Sequence, residues 1–378
     1  MRGKEIITTR QLIMVLLLSV LALKVLLLPN LMAIVFGRDS YLFLLFMLVS
    51  DYTILILFLL LIKRYPGMTF YQIVELLLGK MLAKVVYVLL ALFFFTKCCG
   101  LFQSTFVYLN ENLYTTYSIF VFAFPFLVVL VYSAMRGEKC LGRILECTFP
   151  VILLGFLVAS GVGAMRADIT NLLPFFENGF DKTVSMASFS YWFGDYIILI
   201  MFFGRIKGEK HFNKKILISC GAIILALVAF YAIVYAKYGY NTITHTNAIS
   251  DLLQVQPSSS DIGSFDWILI LIWDTALFVS CLGNAFGFIF CVRTLFPKLS
   301  QVGVAIFLAA CIFATCYAFS FNIYSFVEFA QKSLYIFSFG VQSILPNILF
   351  LVSFVRHGKT TKYAKNYLGS RQASGEKI

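Results

Sequence analysis

Six ionisable side chains lie within long apolar runs of this 378-residue chain or at their edges: Lys24, Asp51, Lys97, Glu146, Asp195 and Asp274. Two ammoniums and four carboxyls can form ion pairs. Pairing is what a low-dielectric interior demands, because an isolated buried charge neutralises instead. Lys24 is the sharpest case, sitting in VLALKVLLLPN, Val20 to Asn30, with Pro29 five residues on. An ammonium at the centre of a membrane helix costs about 2.5–3.5 kcal/mol on insertion scales, so it belongs in a cavity or beside a partner. Asp274 or Asp195 is the expected partner, or a substrate carboxylate takes that place. The plainer alternative is a structural pair or a side chain that snorkels to an interface.

Asp195 follows Gly194 in SMASFSYWFGDYIILI, Ser185 to Ile200, where small and polar residues interrupt an apolar run. An acid there can accept from a substrate ammonium, carry a proton, or cap the half-helix that follows it. Asp274 follows Trp273 and is matched with Lys24. Lys97 precedes Cys98, Cys99 and Gly100, small residues that let another helix approach; it either reaches a pocket or pairs with Asp51. Glu146 stands three residues from Arg143, the spacing of a structural helix pair. Phe189, Tyr191 and Trp192 flank the interruption and can wall an apolar side chain. The candidate substrate-binding set is Ala22, Leu23, Lys24, Lys97, Phe189, Ser190, Tyr191, Gly194, Asp195 and Asp274.

Composition says what kind of element holds these residues. The chain is 61% hydrophobic and 13% charged, with mean hydropathy +0.90, against about 25% charged residues in soluble domains. It reads as an all-α polytopic membrane protein. Runs of about 20 apolar residues fall near 11–36, 41–62, 84–110, 118–135, 145–165, 185–204, 215–236, 264–292, 302–321 and 331–355. The net charge of +12 is a topology signal, with no need for nucleic acid. Most of the 30 basic residues fall at the N-terminus, in every second loop and in the tail, among them Lys63, Arg64, Arg136, Lys139, Arg205, Arg293 and Arg356. The intervening loops keep only Arg38, Arg166, Lys182, Lys237 and Lys332. That asymmetry puts both termini in the cytoplasm. The first run follows a short basic start without a small-residue cleavage site and is expected to be retained as a span.

The nine cysteines show neither metal spacing nor a secreted disulfide pattern, and read as small buried hydrophobes. The histidines, His211, His245 and His357, lie in loops or at a span edge. With no phosphate-binding glycine loop, metal-ligand cluster or nucleophile with a histidine partner, no enzyme reading competes and no cofactor is expected.

Ten spans divide into five plus five, and an odd number per half inverts the second half. This is the arithmetic of an inverted-repeat transporter whose first helix in each half is broken at the midplane. The first repeat is about 11–165, the second about 185–355, and 356–378 is a basic cytoplasmic tail. Lys24 to Pro29 and the stretch around Gly194 are the two expected breaks, in spans one and six. The loop from Gly239 to Asp266 is expected to hold a short amphipathic helix from Ala248 to Val255, ended by Pro257 and three serines.

Several short patterns occur in order: RQLIMVLLL with LLLPN, KRYPGMTFYQIVELLLGK, YSAMRGEKCLGRILECTFP, NLLPFFENGF, FSYWFGDYIILI and ILIWDTALFVS. Together they resemble the endospore germination permease family, the B subunits of spore nutrient receptors, within the amino acid, polyamine and organocation transporter superfamily. The resemblance implies a fold like that of the leucine transporter, with spans one, three, six and eight around a central pocket. It also implies a sensor of a small nutrient, often an amino acid, in the spore inner membrane beside A and C subunits. The chain departs from the family at Ala22, Leu23 and Lys24, where small residues are usual, and at Asp195, where Gly-Glu is usual. Two other functions compete: a proton-coupled permease for an amino acid or organic cation, and a scaffold or channel component whose pocket Lys24 locks permanently.

Overall fold

Where the backbone cannot continue a helix, proline or a left-handed glycine marks the place, and these marks divide the chain into its membrane crossings. The computed structural model describes residues 7–112, 119–173, 181–206, 211–245, 247–253, 266–319 and 322–355. Span one consists of two helices, Thr9–Lys24 and Leu28–Phe36. Thr8 and Gln11 form a reciprocal capping box at its start, which satisfies two free N–H groups. The break is the work of Pro29, since a proline ring clashes with the carbonyl four residues earlier, here that of Val25.

Span two is Ser40–Arg64, span three Lys80–Asn112, span four Ile119–Arg136 and span five Glu138–Ala164. A short helix, Phe70–Leu78, precedes span three and opens with a second capping box, Thr69 with Gln72. Span six consists of two 3₁₀ segments, Asp181–Trp192 and Asp195–Phe202, bent by 41° where they meet. At about 2.0 Å rise per residue a 3₁₀ turn is longer than an α-turn of equal residue count, so this short stretch still reaches across a bilayer. Span seven is Phe212–Tyr238, span eight Asp266–Leu295 and span nine Gln301–Ala318. Span ten runs from Ile323 to Val355 with π-helical turns at Ala330–Leu334 and Gly340–Ile344.

Among the described residues, seven helices are each long and apolar enough to cross a membrane, and the bent span six makes eight. The first helix of span one, with 16 residues, and the apolar part of span four, Ala123–Arg136, are shorter than a full crossing and account for the other two of the ten expected segments. Spans five and ten begin earlier than expected, at Glu138 and Ile323. Hydropathy marks only the apolar part of a helix: span five opens with Glu138, Lys139 and Arg143, and the early turns of span ten carry Glu328, Gln331 and Lys332.

Spans three and eight pack against one another over most of their length. The Cys98 thiol donates to the Cys281 carbonyl and the Cys281 thiol to that of Cys98, each at 3.8 Å. Gly287 permits the close approach, since a Cβ there would lie 2.7 Å from the Phe94 ring. The expected loop helix is Ala248–Leu253; residues 254–265, including the serine run, lie outside the described residues, as does the 356–378 tail. This helix covers the broken part of span one, where Ala248 N–H donates to the Leu26 carbonyl at 3.4 Å.

Candidate functional site

The break in span one leaves carbonyls without helical partners, and in a membrane each must be satisfied by protein. Tyr231 of span seven donates to the Lys24 carbonyl at 2.7 Å, and Tyr235, one turn on, to the Pro29 carbonyl at 2.7 Å. Trp273 Nε1 of span eight donates to the Ala22 carbonyl at 3.3 Å. Asn30 Nδ2 donates in turn to the Thr242 and Ile243 carbonyls at 3.3 and 2.6 Å, tying the second half-helix to the loop after span seven.

Span six breaks at Gly194, whose φ of +83° is a left-handed conformation, reached at low cost only by glycine. A Cβ there would also lie 2.3 Å from Oε1 of Gln342, a buried side chain that the second π-turn of span ten carries. The Gly194 N–H donates to both oxygens of Asp51, each at 3.0 Å. Asp51, from span two, therefore takes the role of terminal acceptor that the sequence offered to Asp195. The Asp195 side chain makes no cap of its own helix and is free to point at span one.

There it meets Lys24. The Lys24 ammonium forms an ion pair with Asp195 Oδ2, joining the two breaks directly. Lys97 of span three approaches the other oxygen, Oδ1, at 3.7 Å and donates to the Phe193 carbonyl at 2.7 Å. Both ammoniums are fully enclosed, Lys24 being 1% and Lys97 2% exposed. Ring faces complete their surroundings: Lys24 lies 4.8 Å from the Phe193 centroid, Lys97 5.4 Å from that of Tyr191, and cations are attracted to such faces. Two ammoniums and two carboxylates thus form a neutral buried quartet of Lys24, Lys97, Asp51 and Asp195, drawn from spans one, two, three and six. Desolvating four charges is tolerable only in such a compensated set.

Residues 6–324 match the spore germination protein family. The chain belongs to that family. No curated protein is similar to it at a significant level. Among solved structures it is similar to Mhp1, a nucleobase-cation-symport-1 family transporter, in a closed conformation with bromovinylhydantoin bound. The two are 12% identical with a TM-score of 0.51, and the match covers 98% of this chain and 95% of that one. At that identity the likeness is one of fold: an all-helical transporter architecture spread over the whole germination-family chain. Family and fold are those of permeases.

Of the residues singled out in this family member by sequence, Lys24, Lys97, Tyr191, Gly194 and Asp195 converge on one place. Tyr191 donates to the Thr96 carbonyl at 2.8 Å, and Gly100 makes room for it, since a Cβ there would lie 2.2 Å from its hydroxyl. Ala22 and Leu23 form the last turn before the break, both buried. The Ser190 carbonyl accepts from Phe193 N–H at 3.2 Å, and Phe189 packs on Phe36 with centroids 5.3 Å apart. Trp192 is buried edge-on to Tyr191.

Asp274 does not join them. Its Oδ1 is buried and accepts no hydrogen bond, and the expected pairing of Lys24 with Asp274 gives way to Asp195. The reason is helical geometry: Trp273 turns its face to span one, and the next residue is rotated about 100° away. The alternative pairing of Lys97 with Asp51 is likewise replaced by contacts with Asp195 and Phe193. The Arg143–Glu146 pair does not form among the described residues; both side chains are exposed on span five. An unforeseen pair, Arg205 with Glu138 at 2.8 Å, joins the end of span six to the start of span five instead.

Sequence reasoning ranked Asp51 only as an alternative partner and passed over Gln342, Tyr231 and Tyr235. The tyrosines stood four residues apart in an apolar run, a spacing that marks one helix face. Gln342 carried the signal of a lone amide in an apolar span.

Proposed function

We propose that this chain is the B-type subunit of a spore nutrient receptor, binding a small zwitterion such as an amino acid between its two broken spans and passing the change to A and C subunits in the spore inner membrane, with both termini in the cytoplasm. The observation that carries this reading is the ion pair between Lys24 and Asp195 across the two breaks. A zwitterion offers one carboxylate and one ammonium. Entering between Lys24 and Asp195, it exchanges one internal pair for two ligand pairs and leaves the buried net charge at zero. The two half-helices then separate by the width of the ligand, and a ligand shifts such an equilibrium only by its difference in affinity for the two states. Ala22, Leu23, Lys97, Phe189, Ser190 and Tyr191 belong to the walls of this site. Asp274 stands outside it in the closed form and reaches the ligand only after span eight moves. Transport of the same ligand is the second reading, favoured by the transporter architecture shared with Mhp1.

The test is germination of spores carrying Lys24→Met, at normal protein level, challenged with single amino acids, sugars and nucleosides and followed by loss of refractility. Selective loss of one response is expected. A response unchanged in that variant sinks the site. Uptake of the identified nutrient by proteoliposomes then separates sensing from transport.

A further inference from the structure

Away from the charged quartet, spans four and nine leave between them a groove of about 600 Å³ whose walls are almost wholly apolar. Phe124, Val128, Tyr132 and Met135 form one side, and Ile306 and Phe313 the other. The floor includes the small residues Ala309 and Ala310. At one end the character changes abruptly. Arg136, the last residue of span four, is exposed and is held over the groove's own Tyr132, donating to its hydroxyl from Nε at 3.1 Å and from Nη2 at 2.7 Å. Arg293 of span eight donates through Nη1 to Gln301 Oε1 at 2.9 Å, and Gln301 Nε2 donates to the Ala134 carbonyl at 2.8 Å. That relay brings a second guanidinium to the same rim, and its buried Nε has no hydrogen-bond partner. Span nine begins there, capped by Ser300, with no acid in its first turn. Spans four and nine contain no aspartate or glutamate at all. The nearest acid in sequence, Glu138, is already paired with Arg205.

From this juxtaposition we infer a binding site for an anionic phospholipid, its acyl chain in the groove and its phosphate at Arg136 and Arg293. An apolar slot ending in two guanidiniums matches the two ends of such a molecule, and basic pockets between membrane helices select anionic headgroups. Guanidinium donors suit phosphate geometry. A partner helix fits less well. Helices associate in lipid through small residues that bring backbones together or through polar side chains that cross, and here bulky rings and branched chains stand on both sides of a narrow floor. By the distribution of basic residues this rim faces the cytoplasm, where anionic lipids concentrate. The site is independent of the nutrient reading.

The test places an indole in the groove by Phe313→Trp in the full chain, reconstituted with lipids whose acyl chains carry bromine as a quencher. Fluorescence is taken as the difference from the unsubstituted protein, which has its own tryptophans. Brominated phosphatidylglycerol is expected to quench at about five-fold lower mole fraction than brominated phosphatidylcholine, the selectivity of roughly one basic residue beside an anionic surface. Arg136→Gln should bring the two lipids to parity, and Arg136→Lys should keep most of the difference. Raising salt from 0.1 M to 1 M, which shortens the screening length from about 10 Å to about 3 Å, should reduce the preference without any substitution, so the test survives a variant that fails to fold. Equal quenching by both lipids would overturn the proposal, as would no quenching by either, which would mean that no acyl chain enters the groove. Loss of the preference on adding inorganic phosphate at constant ionic strength would also overturn it, by showing an anion site that needs no lipid.

Discussion

The two broken spans solve opposite problems. The break in span one leaves carbonyls free, and neutral donors satisfy them: the Tyr231 hydroxyl, the Trp273 indole and one backbone N–H of the Ala248–Leu253 helix, while the Tyr235 hydroxyl adds a bond to the first turn of the second half-helix. The break in span six has an N–H to satisfy, and a full carboxylate, Asp51, takes it. Each break then contributes one charge of its own, Lys24 from the first and Asp195 from the second, and these neutralise each other. Backbone satisfaction and charge compensation are therefore separate at the first break, whereas at the second Asp51 and Lys97 serve both; the Lys24–Asp195 pair is the part a zwitterion can take over.

Substitutions break this division in order of expected cost. Asp195→Asn should be the most damaging, because it leaves two buried ammoniums facing one carboxylate; losing one member of a buried pair costs about 3–5 kcal/mol. Thermal unfolding in detergent checks this, and Asp195→Glu should restore most of the loss. Gly194→Ala adds both a left-handed strain of about 1–2 kcal/mol and a clash with Gln342. A double-mutant cycle with Gln342→Ala should recover the part of the clash made by the amide, and leave both the strain and the 2.7 Å approach to the Cβ of residue 342. Tyr231→Phe removes only the hydrogen bond to the Lys24 carbonyl and should cost about 1 kcal/mol, with nutrient response retained if the two functions are as separate as the geometry makes them.

The smallest effect belongs to the short Ala248–Leu253 helix over span one. Asp251 faces His245 at 3.2 Å, while its backbone carbonyl accepts from Lys237 and Tyr238. Burial pushes its carboxyl above the usual aspartate range, with His245 opposing. Since the folded pKa exceeds the unfolded one, this group's contribution to docking is complete below about pH 4 and is lost as pH rises through the raised value. Hydrogen exchange over Ala248–Leu253, corrected for intrinsic rate, should show protection falling across that window, and Asp251→Asn should flatten it.

Much of this was legible in the residues themselves. Pro29 and Gly194 announced the breaks because proline and left-handed glycine act on the local backbone. Lys24, Lys97, Asp51 and Asp195 announced a compensated set because charge in lipid needs a partner. The identity of each partner was not legible. Asp195 and Asp274 are equivalent by composition and depth, and the choice between them depends on which face of span eight meets span one. The Trp273 contact with Ala22 settles that. Asp51 looked like a partner for lysine because its real acceptor role, on the Gly194 N–H, requires span two to lie beside the span-six break.

The sequence by itself determined that this is a polytopic helical membrane protein with two interrupted apolar runs and more ionisable groups than lipid tolerates alone, since hydropathy, proline and charge act locally or through the bilayer. Only the tertiary structure decided that Lys24 closes on Asp195, that Asp274 is left apart, and that Gln342 stands over Gly194. Those outcomes depend on helix rotation and on contacts between residues far apart in the chain, such as the 171 positions between Lys24 and Asp195, which no local pattern encodes.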